Sequence, residues 1–166
     1  VEGDTLKAYV KAGPQDPVWV AHVLLQLLGA LGEAHAMGMV HRDIKPANVM
    51  VVTRSDGERR VRLLDFGIAK VLPVDNAEQS VKTQQGVVIG TPEYLSPEQA
   101  RAKDEVDGRS DLYSVGVLAY TLLAGANPFA RSSIIDTILA HCTVDPPPLD
   151  PEIGRASCRE RVCHRV

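Results

Sequence analysis

The sequence predicts an α+β domain that is mainly α-helical and carries one small β-hairpin. Apolar residues recur at helical spacing in several segments, and a single pair of β-branched runs flanks a turn sequence. Of the 166 residues, 45% are hydrophobic and 23% are charged, a composition typical of a globular protein with a buried core. We expect one domain without internal repeats.

The first long helix is predicted to start at Asp16 and to stop at Gly38. Asp16 suits the N-cap and Pro17 suits the first helical position, where its missing N–H costs nothing. Glycine is a common residue just past a helix end. Residues at helical spacing lie between these limits, namely Val20, Val23, Leu24, Leu27, Leu28, Leu31, Ala34 and His35. We therefore expect a long helix with one buried face.

A β-hairpin is predicted in the next segment. Val49 to Thr53 and Val61 to Leu64 are β-branched or aliphatic runs, and Asp56-Gly57 between them is a turn sequence. Such a hairpin places the residue just before its first strand beside the residue just after its second strand. Asn48 and Asp65 occupy these two positions.

The second half of the chain contains a long segment without clear periodicity and then two helices. The segment from Gly67 to Gly90 is too long for an ordinary connection, and loops of this length are often functional. Apolar residues at helical spacing from Leu112 to Leu122 predict a core helix that ends near Gly125. A shorter amphipathic helix is expected over Ser132 to His141.

Two short motifs on either side of the hairpin predict chemistry. Residues 41–48 read His-Arg-Asp-Ile-Lys-Pro-Ala-Asn, and residues 65–67 read Asp-Phe-Gly. One carboxylate, Asp43, is suited to orient a hydroxyl nucleophile. An amide, Asn48, and a second carboxylate, Asp65, are suited to hold magnesium. The pattern therefore predicts a phosphoryl-transfer site.

These motifs, together with Gly90-Thr91-Pro92-Glu93-Tyr94 and Pro97-Glu98, resemble the eukaryotic-type protein kinase family in its bacterial serine/threonine branch. The resemblance covers the chain from Val1 to about Glu152. It implies a partial kinase domain over residues 1–152, with the hinge and the start of the C-terminal lobe in residues 1–13. The helical C-terminal lobe would fill residues 14–152, through the helix after the activation segment.

The resemblance gives each motif residue a role. Asp43 would orient the substrate hydroxyl, and Lys45 would neutralise charge on the transferred phosphoryl group of ATP. Asn48 and Asp65 would bind Mg²⁺, a hard cation that prefers oxygen ligands. Outside the motif, an aspartate or asparagine here could be a cap or turn residue, and the lysine a solvated surface charge.

The resemblance also assigns regulatory and structural residues. His41 and Phe66 would stack in a packed column, and Arg42 would pair with a phosphorylated activation loop, for which Thr83 is the candidate phosphosite. Thr91 would lie beside the substrate and touch Asp43 and Lys45.

Four further positions follow from the same resemblance. Glu98 corresponds to a glutamate that pairs with a downstream arginine in the family, and Asp111 would hold the backbone of the catalytic loop. Val1 would meet the adenine edge through its backbone. Met50 would pack beneath the adenine ring, although a methionine in a strand is more often a core residue.

The chain lacks a glycine-rich phosphate loop, a strand lysine and its partner glutamate. We therefore expect the N-terminal lobe to be missing and the chain by itself to bind ATP weakly and to be inactive. Two other functions remain open. They are a small-molecule phosphotransferase of kinase-like fold, which would not need the segment from Gly90 to Glu98, and a non-catalytic interaction module, against which the intact Asp43, Asn48 and Asp65 argue.

The expected partners are proteins with Ser or Thr hydroxyls, including a second copy of the kinase for self-phosphorylation in trans. The net charge of -3 and the absence of a basic patch argue against nucleic acid. The apolar stretches Val23 to Leu31 and Val115 to Ala126 are too short or interrupted for a membrane span, so we expect none here. A cytoplasmic kinase domain is expected, and a membrane anchor elsewhere in a longer protein is compatible with it.

The last residues, 153–166, resemble the translation of a common sequencing-library adapter, so we expect a non-native tail there. Four arginines and one glutamate lie in it, and the rest of the chain is therefore more acidic than the formal charge of -3. Cys158 and Cys163 also lie in the tail. The remaining thiol, Cys142, has no internal disulfide partner, which fits a reducing compartment.

Overall fold

A computed structural model of the chain describes residues 3–65, 81–83, 86–88, 92–101 and 106–153. The predicted α+β class is confirmed, since helices and small antiparallel sheets make up this part of the chain. The strands are β1 (Gly3–Thr5), β2 (Val49–Thr53), β3 (Arg59–Leu63), β4 (Val81–Thr83) and β5 (Gly86–Val88). The helices are α1 (Leu6–Ala12), α2 (Pro17–Ala36), α3 (Pro97–Ala100), α4 (Gly108–Ala124) and α5 (Ile134–Thr143), with 3₁₀ turns at Pro46–Asn48 and Pro92–Tyr94.

Helix α2 follows the sequence prediction closely. Asp16 caps its start by accepting hydrogen bonds from the backbone N–H groups of Val18 and Trp19, at 2.9 and 3.0 Å. Pro17 is the first helical residue, and Gly38 adopts a positive φ of 75° just past the end. The cap and the stop are therefore confirmed at the predicted residues.

The β2–β3 hairpin is also confirmed, with corrections at both boundaries of its second strand, which ends at Leu63 rather than Leu64. The second strand begins at Arg59 rather than Val61, because Thr53 pairs with Arg59 and extends the ladder across the arginines. Strand β1 was not predicted and adds a third strand, in the order β1-β2-β3. Gly3 pairs with Val52 there, and a Cβ at Gly3 would come within 2.9 Å of the Val51 carbonyl oxygen. The hairpin between Asn48 and Asp65 is thus part of a three-stranded sheet.

Helices α4 and α5 lie where the periodicity predicts them. Asp107 caps α4 and Gly125 ends it with φ 74°. Helix α5 starts at Ile134 rather than Ser132, because the Ser133 hydroxyl accepts the N–H of Asp136 and makes Ser133 the N-cap. Short elements β4, β5 and α3 were not predicted. They lie in or after a segment that shows no periodicity.

The hydrophobic core lies between α2, α4 and the sheet. Leu27 and Leu31 of α2 and Leu118 and Leu122 of α4 are fully buried, and Val49 of β2 joins them. Leu6 and Ile44 are also in this cluster, so α1 and the loop after α2 are anchored to it. The core therefore fixes the elements on both sides of residues 41–48.

Helix α2 is long and apolar enough to cross a membrane by length and composition, contrary to the expectation from its shorter stretch Val23 to Leu31. One face of the helix, however, is packed into the core through Val20, Val23, Leu27, Leu31 and Ala34. Core helices pass the same length and composition test. Packing into the core therefore accounts for part of the apolar character of α2, while Leu25 and Leu28 remain exposed.

Gly116 within α4 and Gly125 just past its end should respond oppositely to alanine. A Cβ at Gly125 would lie 2.8 Å from Cδ of Pro14, and φ is 74°, so Gly125→Ala should lower the free energy of unfolding by about 1–2 kcal/mol or more. Gly116 lies within the helix with no atom near its Cβ position, so Gly116→Ala should raise it by about 0.5–1 kcal/mol. Urea unfolding of both variants measures the difference; equal effects would contradict the assigned helix end.

Candidate active site

The loop that follows α2 is held by one buried carboxylate of α4. Asp111 is 1% exposed, and its two oxygens accept the backbone N–H groups of His41 at 2.8 Å and of Arg42 at 2.7 Å. Its Oδ2 also lies 2.8 Å from Nε2 of His35, near the end of α2. A carboxylate with several N–H partners is stable at such burial. Asp111 therefore joins α2, α4 and the loop.

Helix α4 must approach α2 closely for this contact. A Cβ at Gly108 would lie 2.7 Å from Nδ1 of His35, so only glycine leaves room for the imidazole there. Gly108 is the first residue of α4, three residues before Asp111. The helix start is thus shaped around the His35 ring.

Arg42 has an unusual backbone conformation that its neighbours hold in place. Its φ is 64°, a value that costs a non-glycine residue free energy. Its N–H is bound by Asp111, and its carbonyl oxygen accepts Nε2 of Gln99 at 2.9 Å. The Gln99 side chain also accepts the N–H of Ser96 and completes a capping box at the start of α3. One glutamine therefore ties α3 to the loop.

Three candidate site residues meet directly. Nζ of Lys45 lies 2.9 Å from Oδ2 of Asp43, and each side chain is about one-fifth exposed. Nδ2 of Asn48 donates to the same Oδ2 at 3.1 Å and to the Asp43 carbonyl oxygen at 2.9 Å. The Asp43 carboxylate is thus oriented by a cation and an amide, and it remains reachable from solvent.

The fully buried His41 links this loop to the end of the hairpin. Its Nε2 lies 3.0 Å from the carbonyl oxygen of Leu64, and its Nδ1 lies 3.3 Å from the N–H of Asp43. Because a carbonyl oxygen can only accept, Nε2 must carry the proton, and Nδ1 can then accept from Asp43. The ring therefore connects Asp43, one candidate carboxylate, with Leu64, the residue before the other candidate carboxylate, Asp65.

Asn48 and Asp65 have the donor chemistry of a magnesium site. The N–H of Leu64 donates to the Asn48 carbonyl oxygen at 2.8 Å, so the hairpin places Asn48 beside the residue before Asp65. Asp65 is exposed and has φ 50°. The described residues contain no cluster of three or more His, Cys, Asp or Glu. A hard cation held by these two oxygen donors would keep most of its remaining ligands as water or phosphate oxygens, as Mg²⁺ does.

Glu98 and the Arg42 side chain both have hydrogen-bond partners within the described residues. The hydroxyl of Ser110 donates to Oε1 of Glu98. Partial burial acts to raise the pKa of Glu98, but this hydrogen bond and others leave that pKa below its ordinary value. Nη2 of Arg42 donates to the carbonyl oxygen of Val106 at 3.4 Å, so the guanidinium lies near the start of α4.

The structure describes the remaining predicted residues only in part. Met50 is half-buried in β2, where Thr5 of β1 and Arg62 of β3 flank it. Thr83 lies in β4, but its side chain is outside the described part of the structure. Val1, Phe66 and Thr91 lie outside the described residues altogether, as do residues 154–166.

Sequence reasoning missed His35 and Gln99. The pattern Ser96-Pro97-Glu98-Gln99 is a capping box, a serine followed three residues later by glutamine, and could have been recognised as a helix start. Nothing in the local sequence pairs Gln99 with Arg42 or His35 with Asp111, since those contacts depend on the tertiary fold.

Comparison with known proteins agrees with this geometry. The protein kinase domain model matches residues 1–153. The serine/threonine-protein kinase pkn2 of Myxococcus xanthus is 46% identical over 150 residues, which cover 90% of this chain and 18% of that protein. The serine/threonine-protein kinase PknL of Mycobacterium tuberculosis is 43% identical over 158 residues, which cover 95% of this chain and 35% of that protein.

The chain therefore spans about a third or less of the length of these curated relatives. A third relative, the serine/threonine-protein kinase PknB of Mycobacterium leprae, is 40% identical over 89% of this chain. The match to the domain model covers nearly the whole sequence, and Asp43, Lys45 and Asn48 lie together in the fold. This chain belongs to the protein kinase domain family.

Proposed function

We propose that the protein containing this chain is a serine/threonine protein kinase, which transfers the γ-phosphoryl group of ATP to Ser or Thr hydroxyls of proteins. The observation that carries the proposal is the Asp43 carboxylate, oriented by Lys45 and Asn48 on a loop anchored to buried Asp111. The names of the relatives support the same activity.

Asp43 is the proposed catalytic carboxylate. A Ser or Thr hydroxyl bound beside it would donate its hydrogen bond to the carboxylate, which orients the hydroxyl oxygen toward the γ-phosphorus and accepts its proton. Lys45, already within 2.9 Å of this carboxylate, would stabilise the negative charge on the transferred group. The ion pair thus places the proton acceptor, Asp43, beside the charge-stabilising group, Lys45.

Asn48 and Asp65 are the proposed ligands of Mg²⁺, which supplies positive charge to the phosphates of ATP. Hydrogen bonds from Nδ2 of Asn48 to Asp43 direct the amide donors toward the carboxylate, so the amide oxygen is the group suited to a hard cation. Met50 in β2 and the backbone of Val1 are the proposed adenine contacts.

The proposed regulation involves Arg42, Thr83 and Thr91. A phosphate adds about -1.5 to -2 charge and attracts guanidinium groups. Nη2 of Arg42 contacts a backbone carbonyl oxygen at 3.4 Å, a long hydrogen bond that a phosphate could replace. Phosphorylation by a second copy of the kinase in trans and a cytoplasmic location complete the proposal.

Two other functions have less support. A small-molecule phosphotransferase would share a catalytic carboxylate, but the relatives named for protein substrates cover most of this chain. An interaction module without catalysis would not need Lys45 and Asn48 to converge on one carboxylate.

Replacing the catalytic carboxylate should abolish transfer but not nucleotide binding. In the longer protein that carries this chain, Asp43→Asn should lower phosphate transfer to a Ser/Thr protein substrate by about 10²- to 10⁴-fold, because the amide cannot accept the proton. The matched control is Asp56→Asn in the exposed hairpin turn. Radiolabelled phosphate transfer and nucleotide titration measure both quantities. Full activity in Asp43→Asn would refute the assignment.

Incubation of the same protein with MgATP should add phosphate between Ser80 and Thr91. Peptide mass spectrometry locates the phosphate, and Thr83→Val should remove part of it. Asp43→Asn mixed with active enzyme should still become phosphorylated, since the reaction is proposed to occur in trans. An active enzyme without phosphate in this segment would exclude the regulatory role of Thr83.

The 166-residue chain alone should bind ATP weakly and show no measurable turnover. It contains no glycine-rich loop to cover the phosphates, and charge stabilisation requires a site that excludes water. Calorimetric titration with MgATP and a transfer assay at high enzyme concentration test this. Turnover comparable to that of the longer protein would show that residues 1–166 suffice.

A further inference from the structure

Strand β3 forms one edge of the three-stranded sheet, and a side chain of α2 covers that edge. Oε1 of Gln26 accepts the backbone N–H of Val61 at 3.1 Å, and Nε2 of Gln26 donates to the carbonyl oxygen of Arg59 at 3.2 Å. The order of strands is β1-β2-β3, so these backbone groups point away from β2. One amide therefore satisfies a donor and an acceptor of the edge.

This pair of contacts has the form that a neighbouring parallel strand would make. In a parallel ladder, one residue donates to the carbonyl of residue j−1 and accepts from the N–H of residue j+1. Here j is Arg60, and the Gln26 amide replaces the missing residue. The side chain is half-buried and comes from the helix that forms one wall of the core. Its position is therefore set by α2 and not by the hairpin.

Strand β3, whose edge is bound by Gln26, leads directly to Asp65. β3 ends at Leu63, and the next residue, Leu64, is bound on both sides. Its N–H donates to the carbonyl oxygen of Asn48, and its carbonyl oxygen accepts from the His41 ring. Asp65 follows with φ 50°. A shift of β3 along or away from α2 would therefore move Asp65 relative to Asn48.

Helix α2 also contacts the residue that supports the loop carrying Asp43. Near its end, His35 contacts Asp111, which holds the backbone of His41 and Arg42. Gln26 lies nine positions earlier, on the same helix. A single rigid helix thus contacts the supports of both carboxylates, Asp43 through Asp111 and Asp65 through β3.

We propose that Gln26 is a positioning residue that sets the place of Asp65 relative to Asn48 and so tunes the affinity for Mg²⁺. This inference rests on the proposed kinase function, because it assigns Asp65 to metal binding. Gln26 itself touches neither substrate nor metal. Its effect passes through the backbone of β3, from Arg59 and Val61 to Asp65.

A purely structural role makes a different prediction. If Gln26 only closed an exposed edge, its loss would lower the free energy of unfolding without changing metal dependence. Residues that orient metal ligands from behind typically change metal affinity by about 10- to 100-fold when replaced. The dependence of activity on Mg²⁺ concentration therefore separates the two roles.

The test uses the longer protein that carries this chain, with Gln26→Met, Gln26→Glu and the control Glu33→Met on the exposed face of α2. Gln26→Met keeps the side-chain length and removes both hydrogen bonds. It should raise the half-saturating Mg²⁺ concentration by about tenfold, with kcat recovering at high Mg²⁺. Gln26→Glu keeps the acceptor for Val61 and should show a smaller rise. Glu33→Met should match the unmodified protein.

Hydrogen exchange of the same proteins without ligand provides a readout that does not depend on activity. Gln26→Met should speed exchange at the N–H of Val61 and onward to the N–H of Leu64, which is hydrogen-bonded to Asn48 next to Asp65. Faster exchange confined to Val61, or a lower unfolding temperature with unchanged Mg²⁺ dependence, would overturn the positioning role. If Gln26→Met cannot be obtained as folded protein, the Mg²⁺ dependence and the hydrogen exchange of Gln26→Glu are compared with those of the unmodified protein instead.

The two proposals fail differently. An unmodified protein without MgATP-dependent transfer would refute the proposed function, and exchange at Leu64 would still test the link from Gln26 to the residue before Asp65. An active unmodified protein whose Gln26→Met variant has the same half-saturating Mg²⁺ concentration would refute the positioning role alone.

Discussion

The candidate active site depends on the buried carboxylate of Asp111. At 1% exposure this charge is stable because three N–H groups surround it, two from the loop backbone and one from the His35 ring. Removing the carboxylate would take the acceptor from the backbone N–H groups of His41 and Arg42, at a cost of about 1–3 kcal/mol each, and from the partly exposed His35 ring. The interaction is therefore structural in its chemistry, and the residues it fixes, His41 and Arg42, directly precede the proposed catalytic carboxylate of Asp43.

Strain at Arg42 shows what this anchoring achieves. A positive φ of 64° costs a non-glycine residue about 1–3 kcal/mol, and it persists only when the surroundings hold it. Asp111 binds the N–H of Arg42 and Gln99 binds its carbonyl oxygen. The turn at Arg42 brings the next residue, Asp43, to Lys45 and Asn48. Helices α3 and α4 thus set the backbone from which the carboxylate projects.

The features that the sequence predicts are those with a local cause. Asp16, Gly125 and the turn at Gly57 were placed correctly because capping and positive φ depend on the residue itself. β1 escaped prediction because three residues carry no periodicity, and its pairing with β2 joins distant segments. The motif at residues 41–48 is local in sequence, and it predicted Lys45 and Asn48 as site residues together with Asp43, which they contact. The supports His35, Gln99 and Gln26 became visible only in the fold.

The supports of residues 41–43 come from far along the chain. His41 and Arg42 bind a residue 70 and 69 positions away, and Gln99 reaches Arg42 across 57 positions. Contacts of such separation form late, because a long loop must close before they are made. The strained turn at Arg42 therefore cannot be stable in a chain that has folded only as far as α2. We therefore expect that, during synthesis, residues 41–43 take this backbone conformation only after α4 has docked, so a nascent chain carries Asp43 long before the support from Asp111 is present.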